Sequence, residues 1–304
     1  MSLSQGSRKL QFFPFSQHLL LVVLLAWCLP VSDAYAQEAQ TQVEIAPSAV
    51  RLFELSGLQE LIAQIPASTA SAFEASLTAD QLPERFKGVE PDLIRVAVRN
   101  AFSAETFDNY MVRQINQEMS EQSKNRMLSW YQSPLGARVK QAELDNSLLT
   151  EQSRFEAYQQ RLLTSGVGSE RENLVYQMDE IIHSTESAVD MMANIQIAFN
   201  ISLSRFLPED QQFSRAEIQA LAQRNHTQRM TQYRNQTREV LLFTYQEFDN
   251  EELRKINKTL STVAGQEFVA AINSGIKNGM FASALDLGDE LGELIGKAFS
   301  GPGI

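Results

Sequence analysis

Few residues of the chain have a type and spacing that could perform catalysis or hold a metal. Beyond the first 36 residues only His183 and His226 provide imidazoles, and neither stands at metal-ligand spacing from a second His or a Cys. Neither a Gly-x-Ser-x-Gly nucleophile elbow nor a glycine-rich phosphate loop occurs in the sequence. Acidic pairs such as Glu251 with Glu252 fall at helix starts or on polar faces, where carboxylates are solvated. The sequence therefore predicts no catalytic residue, no metal and no cofactor.

One basic stretch could bind an anion. Residues 222–238 contain four arginines and no acidic residue. Arg224, Arg234 and Arg238 fall within one arc of about 80° on a helix, which would bring them together on a phosphate or carboxylate group. The alternative is that these arginines pair with acidic helices of the same chain. We favour this alternative because structural ion pairing is the commoner use of such clusters.

The sharpest motif spans residues 130–136, with the sequence Trp-Tyr-Gln-Ser-Pro-Leu-Gly. Ser133 is a good N-cap acceptor, Pro134 suits the first helical position, and Gly136 lets another backbone approach closely. Trp130 and Tyr131 close the helix before the turn. The motif predicts a helix, a sharp corner and a second helix, and it favours a capping role for Ser133 over a catalytic one.

This corner resembles the Tyr-x-Ser-Pro-x-Gly hallmark of the bacterial exported proteins grouped as domain of unknown function 2059. The resemblance is clear from about Pro91 to Leu144 and looser upstream, at residues 52–58. It implies a helical fold and a location in the cell envelope. It implies no activity.

A shift of 129 residues places the corner over residues 260–268. Thr262 then replaces Ser133 as the cap and Gly265 matches Gly136, whereas the proline and the aromatic residue are lost. Self-similarity at a fixed offset is the usual sign of a repeat. We therefore expect a degenerate second copy of the corner and two related helical modules.

Three glycines, Gly288, Gly292 and Gly296, recur in an amphipathic segment that runs from about Asp286 to Phe299. Such a stripe lets two helices approach closely. Glycines inside a helix cost roughly 1 kcal/mol each relative to alanine, so a contact must offset them. We expect this segment to dock on a helix of the same chain, on a second copy or on an envelope partner.

The N-terminus has the pattern of a secretion signal. Two basic residues precede the charge-free apolar run of residues 19–27, Pro30 ends that run, and Ala34 and Ala36 are the small residues that signal peptidase requires. The run is shorter than the ~20 residues that cross a bilayer, which disfavours a membrane anchor. We expect cleavage after Ala36 and a periplasmic or secreted protein without a transmembrane span.

The composition of the mature chain excludes some partners and some forms of stabilisation. Cys28 is the only cysteine and leaves with the signal, so no disulfide can form. A lipid on Cys28 is the alternative, but the bulky Trp27 before it disfavours lipidation. Without residues 1–36 the chain carries a formal net charge of −12. Nucleic acid is therefore not an expected partner, because phosphate binding needs a basic surface.

Helical periodicity runs through most of the remaining sequence, and no stretch alternates as a half-buried strand would. The predicted fold class is all-α, a multi-helix bundle or array. Residues 37–47 form a polar leader, and the predicted modules cover 48–165 and 169–300, divided at the flexible Ser165-Gly166-Val167-Gly168.

Several helix starts can also be predicted. Capping boxes are expected at Ser169, at Ser214 and at Asp249. The first should open one long helix whose apolar seam continues to Phe199, and the second a helix that runs to about Phe248.

These features favour a non-enzymatic helical protein of the bacterial cell envelope with a binding or structural role. Two alternatives remain. One is an envelope hydrolase that uses only Asp and Glu, which converging carboxylates in a pocket would favour. The other is a carrier of an apolar ligand, which a closed apolar cavity would favour.

The export signal makes a direct prediction. When the full chain is expressed in a bacterium, the exported protein should begin at Gln37. Intact-mass spectrometry of the exported protein checks this. A retained Met1, or a lipid on Cys28, would contradict the assignment.

Overall fold

The computed structural model of the protein describes residues 44–65, 67, 69, 89–147, 151–206, 212, 214–222 and 226–299. The predicted signal and most of the leader lie outside these residues. Every regular element within them is an α-helix, which confirms the all-α class. In chain order they are α1 Pro47–Leu55, α2 Leu58–Ile62, α3 Pro91–Ala101, α4 Ala104–Glu118, α5 Glu121–Gln132, α6 Pro134–Asp145, α7 Gln152–Ser165, α8 Ser169–Ile182, α9 Ser184–Ser204, α10 Arg215–Ala222, α11 His226–Thr244, α12 Asn250–Leu260 and α13 Val263–Phe299. No described helix has the length and apolarity required to cross a bilayer.

Side-chain caps define several helix starts. The side chain of Asp249 accepts a hydrogen bond from the Glu252 N–H at 2.8 Å, while Glu252 accepts one from the Asp249 N–H, which confirms that capping box. Ser214 and Glu217 form the box that opens α10. The helix predicted from Ser214 is described as two helices, α10 and α11, and α11 ends at Thr244.

The long helix predicted from Ser169 is wrong in two respects. Gly168 occupies the N-cap, and Ser169 is already helical. The helix also breaks at His183, whose φ of 53° is left-handed. The buried Asp179 explains the break, because its carboxylate accepts hydrogen bonds from the Thr185 N–H at 3.0 Å and from the Ser184 hydroxyl at 2.5 Å. A carboxylate supplied by α8 thus caps the N-terminus of α9.

The 37-residue helix α13 lies at the centre of the fold. It contacts α3, α4, α5, α8, α9 and α12. Glycines permit two of the closest approaches. A Cβ on Gly279 would lie 2.6 Å from the Phe107 ring of α4, and a Cβ on Gly288 would lie 2.6 Å from Cβ of Ser202 on α9. The C-terminal segment expected from Asp286 is therefore the last part of a much longer helix.

The two predicted modules share one hydrophobic core. Its larger cluster contains Leu52 and Met111 from the first predicted module together with Ile195 and Leu287 from the second. The end of the predicted leader is also attached to the fold, because the Ala46 N–H donates a 2.9 Å hydrogen bond to the side chain of Asn116 in α4.

The two helix corners have the same local hydrogen bonds. At the first, the Gly136 N–H donates to Ser133 Oγ at 3.1 Å, and the Ser133 hydroxyl donates to the Trp130 carbonyl at 2.6 Å. At the second, the Gly265 N–H donates to Thr262 Oγ1 at 3.1 Å, and the Thr262 hydroxyl donates to the Thr259 carbonyl at 2.7 Å. The backbone that Gly136 lets approach is the last turn of its own preceding helix, since a Cβ there would lie 2.0 Å from the Trp130 oxygen.

Each corner also packs its second helix on the start of the other corner's first helix. Arg138 of α6 pairs with Glu252 of α12 and lies 4.8 Å from the centre of the Phe248 ring. Glu267 of α13 accepts a 2.8 Å hydrogen bond from the N–H of Ser120, the N-cap of α5. Arg138 and Glu267 are separated by the same offset of 129 residues that relates the two corners. The contacts between the two corners are therefore reciprocal. This reciprocity agrees with a duplication, which stays a prediction.

Replacing two glycines of α13 by alanine should change the free energy of unfolding in opposite directions. Gly288→Ala should lower the free energy of unfolding by about 1–3 kcal/mol, because the added methyl overlaps α9. Gly296→Ala should raise it by up to about 1 kcal/mol, because alanine is the better helix former and a Cβ there overlaps none of the described residues. Thermal midpoints and light-scattering masses check both variants. Equal shifts would contradict the close packing of Gly288 on α9, and a loss of mass in Gly288→Ala alone would indicate a contact between chains instead.

Candidate functional site

The arginines predicted to bind an anion lie against acidic residues of α8. Arg238 pairs with Glu172, and a terminal nitrogen of Arg234 lies 4.0 Å from a carboxylate oxygen of Glu180. Arg224 lies outside the described residues. The two described arginines therefore occupy the structural ion pairs that the sequence analysis favoured as the alternative to an anion site.

The residues of the C-terminal glycine stripe differ in their surroundings. Gly288 lies against Ser202, and a Cβ on Gly292 would lie 2.0 Å from the ring of Phe206. Among the described residues, no atom of a neighbouring helix or side chain lies within 4 Å of a Cβ placed on Gly296. Two of the three glycines thus face a helix of the same chain or the residues just after it.

The residues that the structure describes contain no group of three or more His, Cys, Asp or Glu side chains that could hold a metal ion. His183 lies 3.7 Å from the carboxylate of Glu186 at the start of α9. The Ser133 hydroxyl is engaged in the corner through both its hydrogen and its oxygen, as described above. None of these groups is arranged as a nucleophile with a base.

A concave feature among the described residues is a cavity between the two corners, with a volume of about 60 Å³. Tyr131 and Val139 of the first corner line it together with Leu260 and Phe268 of the second, which are the residues at the matching positions. The rings of Tyr131 and Phe268 meet edge to face with centroids 5.7 Å apart. The contact between the two corners therefore forms the wall of the cavity.

Most of the remaining wall is aliphatic. It comes from α2, α11, α12 and α13, through residues that include Leu58, Leu61, Val240, Ile256, Val269 and Ile272. Such a wall excludes water and strengthens the electrostatic interactions of any polar group that faces the space. Three ionisable side chains do so, namely Tyr131, Glu143 and Tyr245.

Glu143 is the only carboxyl group among these three side chains. Tyr245 donates a 2.6 Å hydrogen bond to Glu143 Oε1. The residue keeps some solvent exposure, but its carboxyl group is surrounded by protein atoms, and this burial raises the pKa of Glu143 from its ordinary value of 4.5 to about 7. The hydrogen bond from Tyr245 lowers the pKa of Glu143 and offsets only part of the effect of burial. The carboxyl group therefore changes charge near neutral pH.

The two tyrosines remain neutral hydrogen-bond donors. Burial raises the pKa of both Tyr131 and Tyr245 well above the usual value of 10, and the negative charge of Glu143 raises each further. Near neutral pH the cavity thus contains one titrating carboxyl group and two neutral phenols.

An open groove lies on the other side of α6, with a volume of about 470 Å³. Three carboxylates line it, Asp145, Glu151 and Glu247, together with two arginines. Arg154 lies 3.1 Å from the Glu151 carboxylate, and Gln141 donates a 2.7 Å hydrogen bond to Asp145. Among the described contacts, Arg154 and Glu151 thus pair within the groove, whereas Arg138 pairs with Glu252, which does not line it.

Sequence reasoning identified the corner residues as a structural motif but did not predict a cavity there, and it missed Glu143 and Tyr245. A signal for Glu143 was present, because it follows Leu135 and Val139 at intervals of four residues on the inward side of α6. A charge on an apolar helical row indicates a buried ionisable group. Tyr245 could not be connected with it, since the two residues are 102 positions apart.

Compared with known proteins, the chain matches no family model, no curated protein and no solved structure. The site is therefore interpreted from its own geometry.

The raised pKa of Glu143 predicts how stability depends on pH. The folded state holds the proton more tightly than the unfolded chain, so Glu143 should contribute full stability below about pH 4.5 and lose it as pH rises through about 7. The loss should reach up to about 3 kcal/mol. Glu143→Gln should remove this dependence.

Denaturant unfolding between pH 4.5 and pH 8 measures the effect. Glu156→Gln is the matched control, because Glu156 is an exposed glutamate on α7. If the wild-type and Glu143→Gln profiles run parallel, the carboxyl group is not buried in the way described.

Proposed function

We propose that this protein is a non-enzymatic helical protein of the bacterial cell envelope that binds a small ligand between its two helix corners. The observation that carries the proposal is the cavity lined by Tyr131, Glu143 and Tyr245. A mostly apolar space with a few polar groups has the composition of a small-molecule site.

The envelope location is supported by the N-terminal sequence and by the family resemblance. The apolar run, the proline and the small residues before Gln37 have the order that signal peptidase recognises. The corner that resembles the exported family is also the part of the chain that forms the cavity. The segment whose resemblance supports the envelope location thus also forms part of the proposed binding site.

The hydrolase alternative requires two carboxyl groups on either side of a scissile bond, roughly 5–10 Å apart. Glu143 is the only carboxyl group among the described residues that line the cavity, which favours binding there. Three carboxylates do meet in the open groove. Because Arg154 and Gln141 already engage two of them, the groove gives the hydrolase alternative weaker support.

The carrier alternative requires more space. Sites for drug-sized apolar molecules have volumes of roughly 300–1,000 Å³. A cavity of about 60 Å³ admits only a group of a few atoms. The dimensions therefore favour a small ligand over a lipid-like one.

A cavity-filling variant tests the binding role. Fragments of up to four non-hydrogen atoms should shift the methyl NMR signals of Ile256 and Ile272 in the wild-type protein. In Val139→Phe these shifts should disappear, because the phenyl ring occupies the space, while thermal unfolding shows that the variant is folded. Val263→Phe is the matched control, since Val263 is 68% exposed at the second corner.

Two results would overturn the binding role. One is that no fragment shifts the signals of Ile256 or Ile272 in the wild-type protein. The other is that the same shifts persist in Val139→Phe, which would place the fragments elsewhere on the surface.

A further inference from the structure

The carboxyl group of Glu143 has no cationic partner among the residues that the structure describes. Its hydrogen bond comes from the neutral Tyr245, and no lysine, arginine or histidine lines the cavity. A buried carboxylate without a counterion is costly, so it either takes up a proton or attracts a cation. Whenever Glu143 is ionised, its negative charge therefore has no counterion among the described residues.

Aromatic side chains surround the same space. Trp130, Tyr131, Tyr245 and Phe268 all line the cavity. Tyr131 and Phe268 are inclined at 65° to one another. Aromatic faces attract organic cations, and a carboxylate beside them adds a direct charge partner. This combination distinguishes a site for an ammonium group from a purely apolar cavity.

The size of the cavity limits the ligand. Roughly 10–15 Å³ of such a volume holds one water molecule, so a space of about 60 Å³ admits a molecule of a few non-hydrogen atoms. A metal ion is a poor match, because hard cations prefer several oxygen ligands and the wall is mostly aliphatic. A short alkyl chain with one charged end suits both parts of the wall.

We propose that the cavity binds a small primary alkylammonium ion, whose charged nitrogen pairs with Glu143 and whose alkyl part contacts the aromatic wall. The proposal rests on the binding role inferred above and names the ligand class for that site. It assigns Glu143 as the residue that selects a cation over a neutral molecule of the same size.

The geometry also implies that binding depends on pH. Since the ligand requires the ionised carboxylate, its affinity should increase as pH rises through the pKa of Glu143, about 7. The other ionisable groups that face the carboxyl group are Tyr131 of α5 and Tyr245, which follows α11, and burial keeps both neutral in this range. The described residues of α2, α12 and α13 that line the cavity are not ionisable.

Ethylammonium and ethanol provide a matched pair of probes, because they have the same number of non-hydrogen atoms and differ in charge. Titration of the full-length mature protein at pH 8 should shift the Ile256 and Ile272 methyl signals with a millimolar dissociation constant for ethylammonium. Ethanol should bind at least about tenfold more weakly. At pH 6 the affinity for ethylammonium should fall by about tenfold, and tetraethylammonium should be excluded by its size.

Glu143→Gln keeps the shape of the side chain and removes the charge. This variant should lose the preference for ethylammonium over ethanol and the dependence on pH, yet still bind xenon, which reports an intact apolar cavity. Glu156→Gln, on the exposed side of α7, should behave as the wild-type protein does.

The outcomes separate the two proposals. If ethanol and xenon bind but ethylammonium has no advantage, the ammonium inference is wrong and the binding role stands. If ethylammonium binds equally well to Glu143→Gln, the carboxylate does not select the ligand and the inference is again wrong. If none of the probes shifts the cavity methyls of the wild-type protein, both proposals fail.

Discussion

A helix can be surrounded by other helices only where its own side chains leave room for them. Helix α13 meets this requirement with glycines at the closest approaches, so that Phe107 of α4 lies over Gly279 and Ser202 of α9 lies over Gly288. Each glycine lowers the intrinsic stability of the helix, and the packed neighbours offset that loss. The rest of the fold depends on this balance between helix propensity and close packing, because α13 contacts six other described helices. They are α3, α4, α5, α8, α9 and α12.

The cavity and its three ionisable side chains lie where the two corners contact one another. Tyr131 and Phe268 occupy the centre of the contact, and the space that they fail to fill is the cavity. A perfectly packed contact would be more stable, since voids and buried ionisable groups both reduce stability. The proposed binding role gives a reason for a carboxyl group in this space despite its cost in stability.

Local features of the fold could be predicted from the sequence, and relations between distant segments could not. The caps at Ser133 and Asp249 depend on neighbouring residues, so their types were sufficient. The break at His183 was hidden, because the apolar seam continues through it and the cap of α9 comes from Asp179, a residue inside the preceding helix. A seam of constant period predicts the buried face but does not predict a change in the direction of the helix axis.

The candidate site also has a local part that the sequence predicts and a long-range part that it does not. The sequence predicted the corner residues and their capping, but the use of the corner as a cavity wall depends on packing against a second corner. The pairing of Glu143 with Tyr245 joins residues 102 positions apart, which no local pattern reveals. The arginine cluster was easier to interpret, because the sequence analysis favoured ion pairs within the chain over an anion site and Arg238 pairs with Glu172.

The reciprocal contacts between the corners also have a consequence for the order in which the protein can fold. Arg138 and Glu252 are 114 residues apart, and Ser120 and Glu267 are 147 residues apart. Contacts of such long range form late, because a long loop must close before they are made. The first corner leaves the ribosome well before its partner, and its apolar side remains exposed until then. A nascent chain thus carries an uncovered apolar surface around Tyr131 and Val139 until α13 is complete, and such surfaces are the ones that chaperones protect.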